Sequence, residues 1–151
     1  MAEKLLDIRS LEVGFNVYGG NLNVLNGINF FMKEGEKVGL VGETGCGKTT
    51  TAKSVLKILP EPPAFTKGGE ILFKGKDILK MKDGQLREIH AHEISMIFQD
   101  PTASLNPVFT IGDQLKTAIK YSNLRSGMTK HEIEERAVLA LNEVRLPDPK
   151  R

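Results

Sequence analysis

The chain has 151 residues, of which 40% are hydrophobic and 26% charged. These are values for one folded domain with a sizeable core, and they argue against a disordered chain. A formal net charge of +2 is too small to point to nucleic acid or an acidic membrane surface, and a single cysteine, Cys46, excludes an intrachain disulfide framework and a thiolate zinc cage. No apolar run approaches the ~18–20 residues of a membrane span, and the start MAEKLLDIRS lacks the apolar core of a signal peptide, so a cytosolic protein, free to dock on a membrane protein, is expected.

Leu11, Val13, Phe15 and Val17 alternate with polar or small residues, the pattern of a half-buried strand. Tyr18-Gly19-Gly20-Asn21 is a turn signal. Ile28, Phe30 and Met32 alternate again and end at a second turn, Lys33-Glu34-Gly35-Glu36. The apolar run Val38, Leu40, Val41 then predicts a central strand buried on both faces.

From Leu40 to Thr51 the sequence reads LVGETGCGKTTT, and Gly42 to Thr49 match G-x-x-x-x-G-K-[ST] at every fixed position. Gly42, Gly45 and Gly47 have no Cβ, so the backbone can take left-handed conformations and approach a phosphate closely. Such a turn aims successive N–H groups, and the positive end of a following helix expected to start near Lys48, at an anion. Lys48 is positioned to reach the β- and γ-phosphates, and the Thr49 hydroxyl to ligate Mg²⁺. The apolar run before this turn and the helix-compatible TTTAKSVLKIL after it argue against a chance glycine-rich turn. Binding of ATP or GTP is therefore expected. Cys46 is read as a small residue that fits the loop, although a helix N-terminus can lower a thiol pKa and make it modifiable.

The helix that follows is expected to stop before Pro60, with Glu61-Pro62-Pro63 as a rigid exit. Gly68-Gly69 opens a short strand, Glu70 to Lys74, which Gly75 closes. Asp77 to Ala91 is charged and predicts a short surface helix. Ile94, Met96 and Phe98 alternate and predict a strand ending at Gln99, broken by Asp100-Pro101 and followed by an irregular stretch through Pro107. Two helices come last. Thr110 with Asp113, and Thr129 with Glu132, look like capping devices. Ile111, Leu115, Ala118 and Ile119 share a face of the first, and Ile133, Ala137, Ala140, Leu141 and Val144 a face of the second. Leu146-Pro147-Asp148-Pro149 ends the second helix. His90, His92 and His131 show no ligand spacing and are read as solvated or partly packed.

The run Ile94 to Leu115, ISMIFQDPTASLNPVFTIGDQL, closely resembles the Q-loop segment of ATP-binding-cassette (ABC) transporter ATPases. FQDPTASLNP and the Thr-Ile-Gly step after it resemble the oligopeptide/dipeptide/nickel importer subfamily in particular. GETGCGKTT, GINFFMKEGEKVGLVG and GGEILFKGKDI fit the same family in order and spacing, so the resemblance covers essentially the whole chain. It implies an α/β P-loop NTPase fold, an ABC cassette core with an N-terminal antiparallel β-subdomain and the start of a helical subdomain. Residues 1–100 would be the core part and residues 101–151 the Q-loop exit and partial helical subdomain. Gly42, Glu43, Thr44, Gly45, Cys46, Gly47, Lys48, Thr49 and Thr50 would form the Walker A cradle for ATP. Lys48 and Gln99 would be the catalytic residues, Thr49 and Gln99 would approach Mg²⁺, and Gln99 would sense the γ-phosphate. Adenine would stack on Tyr18, with Phe15 as the alternative. Asp100 to Val108 would lie in the groove that receives a coupling helix of the membrane subunit.

The same resemblance implies an LSGGQ-type signature, a Walker B strand, a catalytic Glu and a switch His, none of which occurs in the 151 residues. The chain is accordingly expected to be a truncated cassette that binds nucleotide weakly and turns over negligibly. The complete protein would be the ATP-binding subunit of an importer for peptides or nickel, a transport-coupled ATPase peripheral to the cytoplasmic face of the cell membrane. Its partners would be a second cassette, identical or not, the membrane-spanning permease subunits and, indirectly, a solute-binding protein. Two alternatives stay open: an ABC-type ATPase of DNA repair or translation, although the small net charge gives no nucleic-acid footprint, and a nucleotide-binding regulator without hydrolysis.

Overall fold

The computed structural model describes residues 4–100, 104–123 and 127–147, and it divides into two compact units, residues 1–86 and 87–151, with the division falling inside α2. In the first unit, strands β1 (Lys4–Val17) and β2 (Gly20–Lys33) form a long antiparallel hairpin. Its tip is the turn that Tyr18-Gly19-Gly20 signals, and Gly19 and Gly20 have φ of 97° and 142°. Strand β3 (Ala64–Phe73) pairs antiparallel with the other edge of β1, and the two-residue β4 (Lys76–Asp77) pairs with β3, giving the order β2-β1-β3-β4.

Strand β1 begins seven residues before the alternation that predicts it, because its apolar phase changes midway. Leu6 and Ile8 are buried at even positions, and Leu11 and Val13 at odd ones. A bulge makes this possible. Arg9 faces Glu70 and Glu12 faces Gly68, so Ser10 and Leu11 stand opposite the single residue Gly69. Ser10 takes a left-handed φ of 45°, and its N–H donates to Asn29 Oδ1 at 3.0 Å. One extra residue shifts the two-residue side-chain period, which lets both apolar pairs face inward. The core they enter also contains Leu25, Leu56, Ala64, Ile71, Phe73, Ile78, Met81 and Leu86.

Helix α1 (Lys48–Val55) starts at the predicted residue and ends well before Pro60. The charged stretch after β4 forms a 3-10 turn (Ile78–Lys80) and then α2 (Asp83–His92). Asp77 caps the 3-10 turn by accepting the Leu79 N–H at 3.1 Å. In the second unit, α3 (Ile111–Ser122) and α4 (Lys130–Glu143) pack together. Thr110 accepts the Asp113 N–H, and Thr129 with Glu132 forms a reciprocal capping box, as the two local sequence patterns predict. Ala137 is buried on the predicted face of α4, and Ile133, Ala140 and Leu141 are half-buried, whereas Val144 is exposed. Asp148 and Pro149, the end of the predicted stop signal, lie outside the described residues.

Two predicted strands are absent. Residues 38–41 carry no ladder, and Val38, Leu40 and Val41 are 43%, 55% and 97% exposed. Residues 94–98 carry none either, although Ile94 and Met96 are half-buried while Ile97 is 95% exposed. A strand of this composition is stabilised by neighbours hydrogen-bonded along both edges. Among the described residues the four-stranded antiparallel sheet is the sole sheet, and it includes neither segment.

Candidate nucleotide-binding site

The loop between residue 42 and α1 has the backbone that the glycine spacing predicts. Gly45 and Gly47 have φ of 86° and 93°, where an L side chain is strained. Gly47 is the N-cap of α1 and is packed against β2: a Cβ there would lie 2.8 Å from Leu25 Cδ2 and 3.5 Å from the Val24 carbonyl oxygen. Gly42 has no left-handed φ, and a Cβ there would come within 2.7 Å of Cys46 Sγ, which would have to rotate aside.

Lys48 folds its ammonium back over this loop. Nζ donates to the carbonyl oxygens of Gly42 and Glu43, both at 2.6 Å, and lies 3.4 Å from the exposed Cys46 thiol. The Glu43 carbonyl also accepts the Cys46 N–H at 3.3 Å, which closes the turn. Thr51 donates both its N–H (2.8 Å) and its hydroxyl (3.0 Å) to the Gly47 carbonyl. The first turn of α1 carries no acidic side chain, so the positive end of its dipole is not offset from within the turn. Thr49 is exposed on that turn, and Glu43 and Thr44 are exposed on the loop. Left-handed glycines, one ammonium and an uncompensated helix start suit a polyphosphate, and an exposed hydroxyl is the hard oxygen donor that Mg²⁺ takes.

At the rear of α1, Lys57 follows the C-cap Leu56 with a left-handed φ of 50°. Its N–H donates to the Ser54 carbonyl at 2.9 Å, and the Ile58 N–H reaches the Lys53 carbonyl at 3.1 Å. Its ammonium donates to the carbonyls of Leu79 (2.9 Å) and Met81 (3.2 Å). The sequence carried no signal for this, since its partners are more than twenty residues away.

The structure gathers residues 42–50 into one loop and helix start. Tyr18 stands fully exposed at the hairpin tip, while Phe15 is half-buried between its cross-strand partners Leu22 and Ala64. Gln99 belongs to the second unit, where it is exposed just after residues 94–98, which join no described sheet. In that unit the loop before α3 is held by a side-chain amide: Gln114 accepts the Asn106 N–H (2.9 Å) and donates to the carbonyls of Asn106 and Phe109 (both 3.0 Å). Asn106 Oδ1 accepts the Val108 N–H at 2.9 Å. The loop and helix start present Leu105, Val108, Phe109 and Ile111 to solvent. Pro101, expected from the sequence to break the strand before this loop, lies outside the described residues.

A family model described as ABC transporter matches residues 25–151. The chain is 43% identical over 99% of its length to a probable peptide ABC transporter ATP-binding protein of Sinorhizobium fredii, and covers 44% of that protein. It is 41% identical over 97% of its length to the dipeptide transport ATP-binding protein DppD of Bacillus subtilis, covering 43% of it. To the oligopeptide transport ATP-binding protein OppD of the same organism it is 37% identical over 98% of its length, covering 40% of it. The chain thus spans less than half the length of these curated relatives. Among solved structures, a dimer of MJ0796, a bacterial ABC transporter cassette, superposes with a TM-score of 0.77 at 21% identity over 95% of this chain and 58% of that one. CbiO1 of Clostridium perfringens, part of an ABC transporter complex, superposes with a TM-score of 0.62 at 27% identity over 98% of this chain and 53% of that one. A P-loop with this geometry, an antiparallel sheet beside it and these relatives agree on one point: the chain belongs to the ABC transporter ATP-binding family.

Proposed function

We propose that these 151 residues are the nucleotide-binding portion of an ABC importer subunit for peptides, and that they bind ATP with Mg²⁺ at residues 42–50. The observation that carries the reading is the loop itself, with left-handed Gly45 and Gly47 around the Lys48 ammonium at the start of α1. Lys48 exchanges its two carbonyl partners for β- and γ-phosphate oxygens, Thr49 offers its hydroxyl to the metal, and the N–H groups of residues 43–50 orient the phosphates. Mg²⁺, when bound, would neutralise charge between the β- and γ-phosphates. Tyr18, exposed at the hairpin tip, is the residue assigned to stacking on the base, and Gln99 to sensing the γ-phosphate.

In the whole protein this site would work as one half of a pair of cassettes, coupled to permease subunits at the cytoplasmic membrane face. The dimeric state of the MJ0796 cassette supports the pairing, and the transport names of the relatives support the permease. Those names favour a peptide over nickel and give no support to a role in DNA repair or translation. Among the described residues no helix is long and apolar enough to cross a membrane, and a permease subunit is the proposed membrane contact. The exposed apolar residues Leu105, Val108 and Phe109 suit that contact. Without a carboxylate to polarise water or a signature motif, the chain alone binds nucleotide but hydrolyses it negligibly.

Titration of the purified chain with a fluorescent ATP analogue and Mg²⁺ tests the reading. Saturable binding that Lys48→Ala weakens about tenfold or more is expected, by the loss of a charge-assisted contact of roughly 1.5–3 kcal/mol. Binding unaffected by Lys48→Ala would sink it. Robust Lys48-dependent ATP hydrolysis by the chain alone would refute the statement that it lacks turnover.

A further inference from the structure

Helix α1 ends on a residue that its backbone disfavours. The position after the C-cap of a helix is commonly left-handed and is usually glycine, because an L side chain is strained there. Here it is Lys57, with φ of 50°. The side chain accounts for the exception, since Nζ donates to the Leu79 carbonyl at 2.9 Å and to the Met81 carbonyl at 3.2 Å. Both carbonyls belong to the 3-10 turn and its exit, a segment with little freedom of its own. Asp77 Oδ1 accepts the Leu79 N–H, the Met81 N–H donates to Ile78, and Ile78 and Met81 are buried with Leu56.

Helix α1 is thereby tied at both ends to the same unit. At the front, Gly47 packs against Val24 and Leu25 of β2. At the rear, Lys57 bonds the 78–81 segment. The helix is only about 12 Å long, so a small displacement of its rear end tilts the first turn that carries Lys48 and Thr49. Residues that bind phosphate through backbone N–H groups tolerate little such displacement.

We propose that Lys57 is a positioning residue for the phosphate site: its two hydrogen bonds to the 78–81 segment set the placement of α1 and, through it, of Lys48, Thr49 and the N–H groups of the first turn. The proposal rests on the nucleotide reading above. It explains why a strained lysine stands where a glycine would relax the backbone.

The test uses the unsubstituted chain, K57R, K57M and K57G, each titrated with Mg·ATP and each unfolded in urea. K57R keeps a charged donor and is expected to bind within about twofold of the unsubstituted chain, while K57M and K57G bind about three- to tenfold more weakly, the equivalent of one or two ordinary hydrogen bonds. K57G also relieves the left-handed strain, so its unfolding midpoint is expected to stay near that of the unsubstituted chain while its affinity falls. That split is what a merely structural role would not produce. Faster hydrogen exchange of the residue 48–51 amides in K57M under native conditions is the second expected result. Equal dissociation constants in the unsubstituted chain, K57M and K57G would overturn the proposal while leaving the nucleotide reading intact. Absence of ATP binding by the unsubstituted chain would overturn both.

Discussion

The side-chain amide of Gln114 pairs with the backbone of Asn106 as another peptide group would, accepting its N–H at 2.9 Å and donating to its carbonyl at 3.0 Å. This exchange spans eight residues and holds the loop that displays Val108 and Phe109. Gln114→Ala removes both bonds and the third one to Phe109. Because the site is exposed, the expected cost to global stability is small, below about 1 kcal/mol. The local effect is larger: the Asn106 amide should exchange about tenfold faster. Gln114→Glu should loosen the loop as well, since a carboxylate cannot donate to either carbonyl. Unchanged exchange at Asn106 in both variants would show that the amide does not hold the loop.

Gly69 and its neighbour Gly68 should respond oppositely to alanine. At Gly69, with φ of 94°, a Cβ would sit 2.5 Å from the Ser10 carbonyl oxygen, 2.6 Å from that of Arg9 and 2.6 Å from Leu11 Cα. All three are backbone atoms of the bulge and cannot move aside alone. Gly69→Ala is expected to destabilise the chain by roughly 2–4 kcal/mol, combining backbone strain with a steric clash. At Gly68 nothing lies within 4 Å of the added atom, and the change should stay within about 1 kcal/mol. Urea unfolding of the two variants separates these outcomes, and equal midpoints would contradict the bulge argument.

Gly47→Ala should reduce both stability and nucleotide affinity. The added methyl meets Leu25 Cδ2 at 2.8 Å, and the residue must hold φ of 93°. The leucine is the movable end of a side chain, so the stability loss is expected at about 1–2 kcal/mol, dominated by backbone strain. Relaxing that strain turns the first N–H groups of α1, so ATP affinity should fall by more than the stability loss alone implies in the folded fraction. Calorimetric titration below the unfolding transition checks this; an unchanged dissociation constant would count against the loop as the phosphate site.

Acid stability should depend on Asp7. Burial acts to raise its pKa, but hydrogen bonds from Arg9 (2.9 and 2.8 Å) and Lys4 (3.1 Å), together with their charges, outweigh it and hold the carboxyl below the usual carboxylate value. A folded-state pKa below the unfolded one makes a contribution that is fully present above about pH 4 and lost as pH falls through the folded value. Asp77 acts in the same direction: burial raises its pKa, while Lys80 and the Leu79 and Ile71 N–H groups lower it further. Its Oδ2 faces Lys80 Nζ at 2.9 Å as an ion pair outside hydrogen-bond geometry. Urea midpoints measured from pH 7 to pH 3 should fall below about pH 4, and Asp7→Asn should lower stability at neutral pH and flatten that fall. Parallel curves for the two proteins would rule Asp7 out as a source of the slope.

What could be read from the sequence is what local chemistry decides. The hairpin turn at Tyr18-Gly19-Gly20, the start of α1 at Lys48, and the Thr110 and Thr129 caps each depend on residues within a turn of one another. The P-loop belongs to this class, because its glycines act through their own dihedrals and Lys48 bonds carbonyls five and six residues away. The change of phase within β1 was not legible in this way. The alternation from Leu11 is out of step with Leu6 and Ile8, and nothing near Ser10 marks the bulge that reconciles them.

Tertiary structure decided the rest, wherever the deciding partner is remote in the chain. Residues 38–41 and 94–98 have strand composition but no ladder, since pairing is a property of two segments and neither belongs to the described sheet. Lys57 reads as an ordinary surface lysine until its ammonium is seen on Leu79 and Met81. The sequence by itself determined the phosphate loop, the helix ends and the family resemblance, because spacing along the chain encodes short-range geometry. Only the fold decided the phase of β1, the need for glycine at position 69 and the anchoring of α1, because each depends on atoms that folding alone brings within contact distance.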